Sequence, residues 1–90
     1  MPYVRENVIE SFLVKEVKKR GGIAFKFVSP GVNAVPDRLC LLPGGRIFFV
    51  ECKAPGQKPR PDQERCHKRI RILGIDVFVM DDRDLKQIGL

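Results

Sequence analysis

The apolar run Ile47-Phe48-Phe49-Val50 passes without a break into Glu51-Cys52-Lys53, and Pro43-Gly44-Gly45 stands shortly before it. Aromatic and β-branched residues that begin just after a turn read as a strand, here from Arg46 to Lys53. The run lacks alternation, which predicts a central strand covered on both faces. Such a strand ends in a carboxylate and an ammonium. A charge at the end of a buried strand must be paired, solvated at the sheet's edge or used. Side chains alternate along a strand, so Glu51 and Lys53 share one face, about 7 Å apart along it, and Cys52 points to the other.

The remaining elements arrange themselves around this strand. Residues from Arg5 to Arg20 read as a helix stopped by Gly21-Gly22, with Ile9, Phe12, Leu13, Val14 and Val17 as a broad apolar face. Ile23 to Val28 reads as a first strand, and Ser29 to Ala34 as a loop of turn formers. Asp37 to Leu42 reads as a second strand, joined by the Pro43-Gly44-Gly45 hairpin to the third. Ala54 to Arg60 is a basic, proline-rich loop. Pro61 is suited to the first position of a helix that runs to Leu73 and ends at Gly74, with Cys66, Ile70 and Leu73 as its buried stripe. Ile75 to Met80 makes a fourth strand, and Asp81 to Leu90 a short terminal helix. The order is α-β-β-β-α-β, an α/β fold with one small mixed sheet flanked by helices.

Ninety residues make a single domain over 1–90, one that buries roughly 60–65 % of its unfolded surface and has a thin stability margin. No apolar run is long enough to span a membrane, and Met1-Pro2-Tyr3-Val4-Arg5 is no secretory leader. Cys40, Cys52 and Cys66 show no Cys-x-x-Cys spacing and are read as core thiols of a protein in a reducing cytoplasm. The net charge of +6 favours a polyanionic partner, nucleic acid before a membrane surface.

Taken alone, a Glu-x-Lys on a strand is weak, because many exposed strands carry such a pair. Two further positions sharpen it. Asp37 follows a proline where the second strand begins, and the hairpin brings it to the same end of the sheet as Glu51. Oxygen ligands of this kind suit Mg2+ or Mn2+, and an adjacent ammonium can stabilise charge developing on a phosphate. Glu10 lies on a helical line with Leu13, Val14 and Val17 and projects near the buried side; Glu6, one turn earlier, is its rival. Lys58, Arg60 and Arg65 are candidate phosphate contacts around a helix N-terminus, and Gln63 could orient a water or a phosphate oxygen. His67 has no partner at zinc-finger spacing and reads as a surface histidine on a basic helix.

The segments Ser29-Pro30-Gly31, Val35-Pro36-Asp37-Arg38 and Phe49-Val50-Glu51-Cys52-Lys53-Ala54-Pro55-Gly56, followed by Arg60 and Gln63, closely resemble the VRR-NUC domain in its stand-alone phage and bacterial form. That family belongs to the PD-(D/E)xK nucleases, and the resemblance covers essentially the whole chain. It implies a restriction-endonuclease-like core, and Mg2+ or Mn2+ held by Asp37, Glu51, Glu10 and the backbone carbonyl of Cys52. It also implies Lys53 as the catalytic lysine and Gln63 as the motif glutamine. Cys52 stands where a small aliphatic residue is commoner in the family. The expected activity is structure-selective DNA endonucleolysis, as a Holliday junction resolvase acting as a homodimer. A monomeric flap or end nuclease and a non-catalytic DNA-binding module are the alternatives.

Overall fold

A computed structural model describes residues 4–90 and shows the order α1 (Glu6–Lys19), β1 (Ile23–Lys26), β2 (Arg38–Leu42), β3 (Arg46–Cys52), α2 (Pro61–Ile72), β4 (Asp76–Met80) and a closing 3-10 turn, Leu85–Ile88. The strands form one sheet in the order β1-β2-β3-β4. The first two pairings are antiparallel, and β4 joins β3 in parallel after the α2 crossover. The mixed α/β sheet expected from the sequence is therefore present. Bounds differ by a residue or two: β1 ends at Lys26 rather than Val28, and the terminal helix is a single 3-10 turn.

Register settles which residues meet. Ala24, Cys40 and Phe48 align across three strands, and Cys52 aligns with Met80. This face packs against Ile9, Leu13 and Val17 of α1 and is fully enclosed apart from a trace of Ala24. Burying each large apolar side chain contributes about 1.5–3 kcal/mol, so this layer holds most of the stability of so small a chain. α1 ends in a Schellman arrangement: Gly22 N–H donates to Val17 O and Gly21 N–H to Lys18 O, both at 3.0 Å, with Gly21 at φ 80°.

The opposite face is unevenly covered. α2 lies over β4 and the end of β3, and Arg71 of α2 donates to the Val77 carbonyl at 2.6 and 3.1 Å. Among the described residues no helix covers β1 and the start of β3 on this side, and Ile23, Phe25 and Ile47 are about half exposed. The third strand is central, as expected, but it is not covered along its whole length on both sides. The buried stripe of α2 also differs from expectation. Gln63 and His67 are its buried residues, Cys66 and Ile70 are partly covered, and Leu73 is 82 % exposed. The helix is turned so that its polar pair, not its aliphatic stripe, faces the sheet. Among the described residues, no helix is long and apolar enough to cross a membrane.

Candidate active site

The β2–β3 ladder runs from Leu42↔Arg46 to Arg38↔Val50 and stops there. The next position in this register sets Asp37 opposite Glu51, and the one after it Pro36 opposite Cys52. The Cys52 N–H donates instead to Oδ2 of Asp37 at 2.9 Å. A side-chain carboxylate thus replaces a backbone acceptor where the two strands part. Asp37 precedes β2 rather than lying within it; its own carbonyl accepts from Phe27 N–H at 2.8 Å, which ties the loop before β2 to β1.

Asp37 and Glu51 sit side by side on the α2 face of the sheet. Burial pushes the Asp37 carboxyl up, and the adjacent Glu51 carboxylate pushes it further, to about 7 from 3.8. The Cys52 N–H opposes this shift and does not cancel it. Two carboxylates in one half-buried place repel each other until a proton or a cation lies between them. That donor set, oxygen only and with the Cys52 backbone beside it, fits a hard divalent ion. Among the described residues, no three His, Cys, Asp or Glu side chains converge into a ready cage. A site of two carboxylates suits an ion that keeps several of its waters, as Mg2+ does.

Glu51 is only 2 % exposed and is surrounded by donors. Lys53 Nζ stands 3.9 Å from its Oε2, and Gln63 Nε2 3.5 Å from the same oxygen. His67 Nε2 lies 3.4 Å from Oε1. His67, read from the sequence as a surface residue, is 1 % exposed, because one turn of α2 carries it under Glu51 together with Gln63. No sequence signal pairs His67 with Glu51, since their contact depends on the rotation of α2 about its own axis. The i, i+4 spacing of Gln63 and His67 was the one visible hint. Gln63 has a second task. Its Oε1 accepts from Arg60 N–H at 2.9 Å and closes the first turn of α2.

Glu10 is placed differently. It reaches in from the α1 side, where its Oε1 accepts from Arg38 Nε at 2.8 Å and from Lys26 Nζ at 3.0 Å. Burial alone would raise its carboxyl, but the bonds from Lys26 and Arg38 outweigh that and hold it below the usual range. Glu10 is near enough for its charge to add to the rise at Asp37, but among the described residues the three carboxylates do not gather into one cluster. Glu6, the rival, is exposed in the first turn of α1. Lys58, Arg60 and Arg65 are all exposed around the start of α2, and Arg60 Nε is paired with Asp62 at 3.2 Å. Lys58 borders a cleft of about 390 Å³ that His67, Lys68 and Arg71 also line.

An α/β sheet with two carboxylates and a lysine where its central strands separate is the arrangement expected of a nuclease of the PD-(D/E)xK type. A solved structure described as a VRR_NUC domain matches over 92 % of this chain and 88 % of its own, with a TM-score of 0.83 and 36 % identity. The protein named "Putative nuclease p44", from Acyrthosiphon pisum secondary endosymbiont phage 1, is 59 % identical over 88 residues, which make up 98 % of this chain and 95 % of that one. No protein-family model matches the sequence. The chain belongs to the VRR-NUC family.

Proposed function

We propose that this protein is a metal-dependent DNA endonuclease selective for branched structure, a Holliday junction resolvase acting as a homodimer. The observation that carries the nuclease reading is the Asp37–Glu51 pair with Lys53 Nζ 3.9 Å from Glu51, at the point where β2 and β3 part. Asp37, Glu51 and the Cys52 carbonyl would hold Mg2+ or Mn2+. Glu10, whose Oε1 is held by Arg38 and Lys26, would join them through its other oxygen or by giving up those cations. The bound ion supplies Lewis-acid activation of water and of the scissile phosphate. Lys53 presents its ammonium to the charge that develops on the phosphoryl oxygens. The attacking water forms a new P–O bond as the bond to the leaving oxygen breaks, giving one phosphate monoester and one hydroxyl end.

Selectivity for shape is supported by what the surface offers. Lys58, Arg60 and Arg65 are cations that meet phosphates, and such contacts carry no base identity. Two copies are supported by the size of the chain and by Ile23, Phe25 and Ile47, half-exposed apolar residues that a second copy would bury. Two symmetric sites would nick two strands of a four-way junction. All three cysteines are free thiols, which suits a reducing cytoplasm.

The test is cleavage of a labelled four-way junction beside a matched linear duplex and a 5′ flap, with Mg2+ or Mn2+ and with EDTA. Paired symmetric nicks near the branch are expected. Lys53→Ala is expected to slow them by about 10²–10³-fold, the scale of losing one charge-stabilising donor, while junction binding is kept. Cutting of flaps or ends alone, by a protein that sediments as a monomer at micromolar concentration, would discard the junction role. No cutting under either metal would leave DNA binding as the function, and full activity of Lys53→Ala would remove that residue from the chemistry.

A further inference from the structure

An amphipathic helix packed on a sheet ordinarily buries aliphatic side chains, yet the buried residues of α2 are Gln63 and His67, 6 % and 1 % exposed. Both meet one carboxylate. Gln63 Nε2 lies 3.5 Å from Glu51 Oε2, and His67 Nε2 lies 3.4 Å from Oε1. We propose that His67 is a positioning residue for Glu51: its Nε2–H holds Oε1 and so fixes the orientation in which Asp37 and Glu51 together take a divalent cation. This rests on the reading of that pair as the metal site.

The division of labour around Glu51 argues for such a role. Oε2 is served by Lys53 at 3.9 Å and by Gln63. Oε1 is met by His67, and Asp37 adds its own carboxyl beside the Glu51 carboxylate. A carboxylate buried this completely is costly unless its oxygens are bonded, and among the described residues no buried side-chain nitrogen or oxygen lacks a partner. The two donors are also aimed by one rigid piece. Gln63 Oε1 is engaged by Arg60 N–H, which leaves the amide nitrogen to face Glu51. His67 follows one turn later on the same helix. A leucine at 67 would fill much the same volume and offer the Glu51 carboxylate no donor. Packing therefore does not account for an imidazole here, whereas the orientation of a metal-binding carboxylate does. Partners that orient metal ligands in this way typically govern affinity by 10–100-fold.

The experiment is a Mn2+ titration of the DNA-free protein, followed by the electron paramagnetic resonance signal of free Mn2+. It compares wild type with His67→Gln, His67→Asn and His67→Met. Glutamine carries an amide nitrogen close to where Nε2 lies, asparagine falls short of it, and methionine fills the volume with no donor. The Kd for Mn2+ is expected to stay within about threefold in His67→Gln and to weaken by about 10–100-fold in the other two. Cleavage by those two should recover as Mn2+ is raised, so that the metal concentration at half-maximal rate moves more than the maximal rate. Equal Mn2+ affinity in all four proteins would overturn the assignment. Absence of Mn2+ binding in the wild type would overturn the metal-site reading itself and the role of His67 with it. If His67→Met does not fold, as judged by circular dichroism, the glutamine–asparagine comparison decides the question, because both place an amide in the same pocket.

Discussion

Asp37 would carry opposite burdens with and without the proposed metal ion. Burial and the neighbouring Glu51 raise its carboxyl to about 7, so the folded protein binds a proton there more tightly than the unfolded chain, whose value is near 3.8. The stability this proton contributes is complete below about pH 4 and is lost as pH rises to about 7. Denaturant midpoints measured in EDTA should therefore fall across that window, and Asp37→Asn should flatten the slope. A divalent ion competes with the same proton, so Mn2+ should stabilise the wild type most above pH 7 and hardly at all near pH 5. A slope unchanged by Asp37→Asn would place the coupling elsewhere. Asp37, Glu51 and Lys53 were legible in the sequence because strand alternation and a short hairpin suffice to put them together. His67 was not, because nothing local sets how far a helix rolls on the sheet beneath it. Glu10 was legible as a buried-side carboxylate, but its pairing with Arg38 and Lys26 depends on the β1–β2 register.

At the scale of elements, the corner between α1 and β1 sets the position of the face that carries Cys40, Phe48 and Val50. Gly22 lies in that corner, where an added Cβ would come 2.3 Å from the Leu41 carbonyl oxygen and 2.7 Å from Leu42 Cδ2. Backbone cannot yield as a flexible side chain does, so β2 or the end of α1 has to shift. Gly22→Ala should destabilise the protein by about 1–3 kcal/mol, the usual cost of overpacking, as read from urea denaturation. A loss below about 0.5 kcal/mol would show that the corner relaxes freely. The Gly21-Gly22 stop was plain in the sequence, as were the hairpin and the proline start of α2, since each is encoded by a residue with a specific backbone preference. The aliphatic stripe assigned to α2 was misread. Periodicity identifies Cys66, Ile70 and Leu73 as one line along the helix, but it does not say whether the sheet extends far enough to meet that line. α2 sits over β4 and the end of β3, so Leu73 projects beyond the sheet into solvent.

The whole molecule presents two opposing fields to DNA. Its net charge of +6 attracts the phosphate backbone, while Asp37 and Glu51 repel it at the one place where chemistry would occur. Attraction would therefore come from exposed cations, and Lys58 and Arg60, which precede α2, are the candidates proposed above. Each phosphate neutralised releases condensed counterions, so log K should fall linearly with log salt concentration, with a slope of roughly −0.9 per contact. Junction binding measured in Ca2+ at several KCl concentrations should weaken steeply. Lys58→Ala with Arg60→Ala should make the slope shallower by about 2, to a similar extent on junction and on linear duplex. If the protein is the paired-site resolvase proposed above, its preference for the junction should survive the double substitution, because that preference would depend on where two sites meet two strands and not on the number of cations. A slope left unchanged would remove both residues from the phosphate interface. A junction preference that vanished along with the charges would make electrostatics, and not the spacing of paired sites, the source of selectivity.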